Sequence, residues 1–198
     1  MVSKYLEALI TEFSKIPGMG QKSASRAAFY ILKLKDSDVK RFASALIDIK
    51  EKIRECSVCG GISDADICSI CSDPSRDSSL ICVVEDEKDI LTIEKTRIFR
   101  GVYHVLKGVI SPLDGIGPDD LRINELYDKC KTGKVREIIL ATNPTLEGDA
   151  TSLFLTHKLK EMNIRVMRIS RGLPVGGELD FADTATIARS FDERIEVF

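Results

Sequence analysis

Apolar residues recur along this chain with two different periods. Over the first fifty or so residues the period is helical. Leu6, Leu9, Ile10 and Phe13 fall at i, i+3, i+4 and i+7, so residues 3–14 are expected to form an amphipathic helix buried on one face. Ala24, Ala27, Ala28 and Ile31 repeat that spacing. Val39, Phe42, Ala43, Leu46, Ile49 and Ile53 carry it through a third segment, for which Ser37 is the expected N-cap. Beyond residue 79 the pattern changes to short, largely apolar runs at 80–84, 102–106 and 137–141, the length and composition of buried strands, with a further strand expected at 164–169. Helical spacings separate them. One runs through Ile90, Ile93 and Glu94; a second carries Leu121, Leu126 and Tyr127 behind an expected start at Asp119 and Asp120; a third runs through 152–162. Alternating strands and helices predict a mostly parallel sheet covered on both faces.

Composition adds little to this picture, but the charge distribution adds more. The 198 residues are 43% hydrophobic and 30% charged, the balance of an ordinary globular chain rather than a disordered one. Glu7 and Glu12 interrupt the first apolar pattern, so no signal peptide is expected, and no apolar run approaches a membrane span. A cytoplasmic home is the expectation. The net charge of −2 argues only weakly against a nucleic-acid partner, because the charge is uneven. Residues 1–54 carry eleven Lys and Arg against six Asp and Glu, whereas residues 178–198 carry two against six. A basic beginning suited to phosphates and an acidic end suited to something else follow from that asymmetry.

The basic segment contains a loop with chemistry of its own. Ile16-Pro17-Gly18-Met19-Gly20 separates the first two helical patterns. Gly18 and Gly20 let the backbone approach another surface and turn successive N–H groups outward, next to the positive end of the following helix. Lys22 and Arg26 follow at i, i+4, on one helix face opposite the alanine stripe, where both can reach a phosphate. This loop between two helices resembles the helix-hairpin-helix module, which implies binding of the DNA backbone without reading bases.

Four cysteines give the strongest signal read from spacing alone. Cys56, Cys59, Cys68 and Cys71 form C-x2-C-x8-C-x2-C, two knuckles that together offer one ion a closed tetrahedral set of thiolates. One structural Zn²⁺ per chain is expected. No position is left for a metal-bound water, so the ion is expected to fold its segment, which is poor in apolar residues, and not to catalyse. Two disulfides would require an oxidising compartment that nothing in the chain suggests. Cys82 and Cys130 lie in apolar or helical contexts and are expected in the core. His104 and His157, the only histidines, are too few for a nucleophilic triad and are expected to be structural or surface residues.

The stretch 136–151 reads as a buried strand, a tight turn at Asn143-Pro144-Thr145 and a helix starting near Gly148. It resembles the Toprim domain of topoisomerases and primases, in which the equivalent strand ends in D-x-D followed by E-G and the aspartates hold Mg²⁺. Here Asn143 and Thr145 stand at the D-x-D positions while Glu147 and Gly148 remain; Glu85, after the run at 80–84, matches the first acidic residue of the pattern. A hard cation prefers anionic oxygen ligands, and an amide and a hydroxyl are poor substitutes. The expected fold class is therefore a multi-lobe α+β chain. It comprises an N-terminal helical hairpin module (1–54), a small four-cysteine zinc finger (55–73), an α/β Toprim lobe with a mostly parallel sheet (79–170) and a C-terminal helical segment (171–198).

Two further strings, residues 111–118 (SPLDGIGP) and 171–180 (RGLPVGGELD), together with the order of these modules, resemble the RecR family of recombination mediators. The likeness covers nearly the whole chain. It implies a non-enzymatic adaptor that binds double- and single-stranded DNA as a homotetrameric ring, a dimer of dimers assembled through the N-terminal helices and the C-terminal segment. It also implies work with RecO and RecF in loading RecA at gaps coated by SSB, in the nucleoid region of the cytoplasm and without a membrane. Lys22 and Arg26 match the family's basic positions lining the opening, and Glu147 belongs to an acidic surface associated with partner contact. Residues 176–183 are Walker B-like, yet no G-x-x-x-x-G-K-[ST] occurs, so ATP hydrolysis is not expected. The alternative is a Mg²⁺-dependent nuclease or nicking enzyme built on Glu85 and Glu147.

Overall fold

The computed structural model describes residues 3–170, 172, 173, 175–192, 194 and 196. Of the strings above, Arg171 and Pro174 lie outside the described residues. The chain divides into two compact units, Met1–Ile53 and Arg54–Phe198.

In the first unit, α1 (Lys4–Ser14) and α2 (Gln21–Ile31) pack together, with Ala24 and Ala28 of α2 completely buried. Alanine at both positions lets the backbones approach, and Leu6, Leu9, Ile10 and Phe13 of α1 are half-buried. The third helix, α3 (Asp36–Lys52), has Asp36 and Asp38 in its first turn and Lys50 and Lys52 in its last, charges that complement the helix dipole. Its N-cap is Lys35, not Ser37, because the helix already starts at Asp36, ahead of the serine. The expected burial of its apolar stripe is not met either. No α3 residue is buried, and Phe42, Leu46 and Ile49 are 45%, 56% and 55% exposed. The periodicity is helical as expected, but the first unit by itself supplies no surface to cover that face.

The second unit starts with a two-stranded antiparallel ribbon, β1 (Arg54–Glu55) with β2 (Ile62–Ser63), followed by the single turn α4 (Ser69–Ser72). A four-stranded sheet follows: β3 (Asp77–Val84), β4 (Gly101–Val105), β5 (Glu137–Ala141) and β6 (Arg165–Arg168), in the order β4-β3-β5-β6 with every pair parallel. Helices α5 (Glu87–Glu94), α6 (Ile123–Lys131) and α7 (Leu146–Glu161) connect the strands, and α8 (Thr184–Asp192) follows the sheet. Alternate residues of β3 face opposite sides. Ile81 and Val83 join Leu126, Leu155 and Leu159 in the larger core, while Cys82 and Val84 join Ile90, Tyr103 and Val105 in the smaller. Burial on both faces is why β3, β4 and β5 read as apolar runs, whereas the edge strand β6 is mostly exposed. Cys82 and Cys130 are core residues, as expected. The expected helix start at Asp119 and Asp120 is instead a 3-10 turn, Pro118–Asp120; Leu121 follows in extended conformation with its side chain in the core, and α6 begins only at Ile123.

A half-buried ion pair ties the entrance of β3 to the far end of α5. Arg76 grips both oxygens of Glu94 (2.8 and 2.6 Å) and also reaches the Phe99 and Gly101 carbonyls, while the Tyr103 hydroxyl donates to Glu94 at 2.6 Å. Arg76 holds the Glu94 carboxyl below its ordinary range. Because the folded value is depressed, this stabilisation is complete above the unfolded carboxylate value of about 4.3 and fades as pH falls through the lower folded one. Glu94→Gln is expected to lose about 1–3 kcal/mol at neutral pH. The gap between variant and wild type should narrow as pH drops below about 4, checked by urea melts at both pH values.

Candidate metal centre, acidic crevice and nucleic-acid interface

The cysteine spacing folds into two facing knuckles. The sulfurs of Cys56, Cys59, Cys68 and Cys71 all lie within 4.8 Å of one another, and Cys59 and Cys68 are 3.7 Å apart. A tetrahedral ion with Zn–S bonds of about 2.3 Å needs sulfurs roughly 3.8 Å apart, so the set fits one Zn²⁺. Backbone N–H groups already point at the sulfurs: Gly61 to Cys59 (3.3 Å), Cys68 to Cys56 (3.2 Å) and Cys71 to Cys68 (3.4 Å). Donors of this kind favour thiolate. The Cys71 thiol and the Gly61 N–H bring Cys59 down to about 5, whereas Cys71 is pushed up by donating to Cys59 and by burial. The finger is anchored in the second unit by Val105, whose N–H donates to the Cys59 carbonyl at 2.8 Å, and by Ile70, which packs against the smaller core.

The second candidate site lies at the C-terminal edge of the sheet. β3 leads off toward β4 and β5 toward β6, so the connections after these neighbouring strands diverge and open a crevice between them, the usual position of a ligand site in such sheets. Glu85 and Asn143 line it, as the Toprim resemblance requires. Its carboxylates, however, are already engaged. Asn143 donates to both oxygens of Glu85, from its backbone N–H at 2.7 Å and from Nδ2 at 2.6 Å. Thr145 caps α7, its hydroxyl accepting from the Gly148 N–H at 3.0 Å. Gly148 itself admits no Cβ, which would meet the Asn143 carbonyl and Glu85. Lys107 pairs with Glu55 at 2.8 Å and with Glu87, and Asp149 pairs with Arg168 and, at 2.6 Å, with Arg189 of α8. Among the described residues the four cysteines form the only His, Cys, Asp or Glu group arranged to hold a metal. Glu147, half-buried in the first turn of α7, lies at the mouth of this edge.

Lys107 and the arginines on Asp149 were not found in sequence. The one sign available was a lysine directly after the apolar run 102–106, where a strand end opens toward a site. His104 is completely buried, and His157 is exposed and lies 3.5 Å from Glu161 one turn on.

The third region is the loop between α1 and α2. Gly18 has φ +79, which a side chain would strain, and the Met19 N–H donates to the Ile16 carbonyl to close the turn. Gly20 is the N-cap of α2 and offers no side-chain oxygen, so the first amides of α2 keep their donors. Lys22 and Arg26 are exposed one turn apart, away from buried Ala24 and Ala28. Among the described residues no helix is long and apolar enough to cross a membrane.

Comparison with known proteins agrees in all these segments. Residues 6–50 match the helix-hairpin-helix of RecR, 53–73 the four-cysteine zinc finger domain of RecR, 79–170 the Toprim domain and 172–195 the C-terminal region of RecR. The chain is similar to the Recombination protein RecR of Leifsonia xyli, 50% identical over 197 residues that cover 100% of both chains. The RecR proteins of Acidothermus cellulolyticus and Thermobifida fusca are each 51% identical, over 98% and 96% of this chain and 98% and 95% of their own.

Elemental analysis of the reduced chain is expected to give one zinc per chain. Chelation should open residues 54–73 to proteases, because the segment has few apolar residues of its own to hold it. Peptide mapping after limited proteolysis checks this, and unchanged cleavage after zinc removal would count against a structural role.

Proposed function

The chain belongs to the RecR family of recombination proteins, and we propose that it is a non-enzymatic DNA-binding adaptor in recombinational repair. The observation that carries this reading is the contrast between its two polar regions. The hairpin loop presents two exposed cations and uncapped amides outward, whereas the crevice where a Toprim enzyme holds Mg²⁺ has its carboxylates tied up internally. In this reading residues 1–54 grip the phosphate backbone of double- or single-stranded DNA through Gly18, Gly20, Lys22 and Arg26. Residues 55–73 are the zinc finger, 79–170 the Toprim lobe whose Glu147 edge meets a protein partner, and 171–198 a segment that joins copies.

One hairpin makes few phosphate contacts, and each is weak and salt-sensitive. Several copies in a closed ring multiply them. The exposed Phe42, Leu46 and Ile49 stripe of α3 supports assembly through the N-terminal unit, since a continuous apolar face left open in a single chain marks an interface. A homotetrameric ring, a dimer of dimers around DNA, is the assembly proposed. Its task would be to help RecO and RecF load RecA at SSB-coated gaps, in the cytoplasm at the nucleoid.

The competing reading is a Mg²⁺-dependent nuclease using Glu85 and Glu147. It is disfavoured because Asn143 holds Glu85 and Thr145 is committed to capping α7. Supercoiled plasmid with Mg²⁺ or Mn²⁺ is expected to show no more nicking than a Glu85→Ala control; nicking abolished in that control would reverse the assignment. The double variant Lys22→Ala, Arg26→Ala should weaken duplex binding at low salt without changing solution mass. The slope of log affinity against log salt should become shallower by roughly one for each phosphate no longer gripped. Fluorescence anisotropy across a salt series measures this, and undiminished binding would place the DNA surface elsewhere.

A further inference from the structure

One cation of the α/β lobe, Arg122, lies over the first zinc knuckle, and a second, Lys129, is joined to it through His104. Lys129, on α6, is half-buried. Its ammonium donates to His104 Nδ1 at 2.8 Å, and among the described residues no carboxylate forms an ion pair with it. His104 is completely buried and lies 2.7 Å through Nε2 from the Arg122 carbonyl. That carbonyl can only accept, so Nε2 carries the proton, Nδ1 offers its lone pair to Lys129, and the ring is neutral. A neutral imidazole leaves the ammonium charge uncompensated. Through His104, whose Nε2 donates to the Arg122 carbonyl, the ammonium is joined to the residue that covers the first knuckle.

Arg122 presents the same case from the other side. Its Nε and Nη2 hold Glu125, but Nη1 is buried with no hydrogen-bond partner. The guanidinium lies directly over Gly60, where even one Cβ would collide with it, beside Cys59 and within reach of that sulfur's charge. A buried donor without a partner is costly, and an apolar residue of similar size would serve a purely structural purpose better.

We propose that Arg122 and Lys129 are the counter-cations of the zinc centre, seated by His104 and Gly60 so that they neutralise the four-thiolate ion where it faces the sheet. Four thiolates around a dication leave two negative charges in a partly buried place; the Arg122 guanidinium, shared with Glu125, lies over Gly60, and the Lys129 ammonium stands behind it on His104. The inference rests on the cysteines holding zinc and is independent of the adaptor role. It makes the metal part of the α/β lobe as well as of the finger. Arg122 precedes α6 and Lys129 lies on it, His104 lies in β4, and the Cys59 carbonyl already bonds to Val105 of the same strand.

The full-length chain and its Lys129→Met, Lys129→Arg and Arg122→Met variants test this in two ways. Zinc affinity, measured by competition with a chromogenic chelator, is expected to fall about tenfold to a hundredfold in Lys129→Met and Arg122→Met and to be restored in Lys129→Arg. Melting is then compared with and without metal. A counter-cation is needed only when thiolates carry zinc, so Lys129→Met should lower the melting temperature of the zinc form and leave that of the chelated form unchanged or higher. Equal losses in both forms, or Lys129→Met and Arg122→Met zinc affinities within twofold of wild type, would overturn the proposal. If Arg122→Met does not fold, the Lys129→Met and Lys129→Arg pair decides. Zinc content of the wild type, measured first, separates failure of this idea from absence of the metal.

Discussion

Four sulfurs held within 4.8 Å of one another cannot all be thiolates unless a cation lies between them, and much of the second unit is arranged around that constraint. The ribbon of β1 and β2 and the single turn of α4 contribute three buried cysteines and Ile70 to the packing, too little apolar surface to hold a fold alone. Inward N–H groups favour charge on the sulfurs, and the strand β4 takes the Cys59 carbonyl as a continuation of its own hydrogen bonding. The finger is therefore joined to the sheet through backbone, through Ile70 and, on our proposal, through two cations.

At the C-terminal edge of the same sheet the charge problem is solved without a metal. The carboxylate of Glu85 needs a compensating partner at the divergence of β3 and β5, and an amide provides it from both its backbone and its side chain. Lys107 does the same for Glu87, and arginines from β6 and α8 for Asp149. The carboxylates at this edge are thus held by groups of the chain itself. The Asp149–Arg189 pair also ties α8 to the first turn of α7.

The first unit poses a different requirement. Its two alanine-packed helices close against each other, but α3 keeps large apolar side chains in solvent. Burying that face requires a surface that the first unit does not itself supply.

The sequence by itself determined every element type in the sheet, because short apolar runs buried on both faces and a helical period are distinct patterns. It also determined the metal centre, since knuckle spacing is local and the ligands need only a short chain to meet. The loop at 16–20 was legible for the same reason. Local pattern did not determine where a stripe is buried: α3 carries the spacing of a core helix but has no core to face, as periodicity reflects amphipathicity and not the partner. Nor could it show that Asn143 clasps Glu85, that Lys107 enters the acidic crevice, or that Lys129 and Arg122 gather behind Cys59. Those contacts join residues far apart in the chain, and only tertiary packing decides which charges become neighbours.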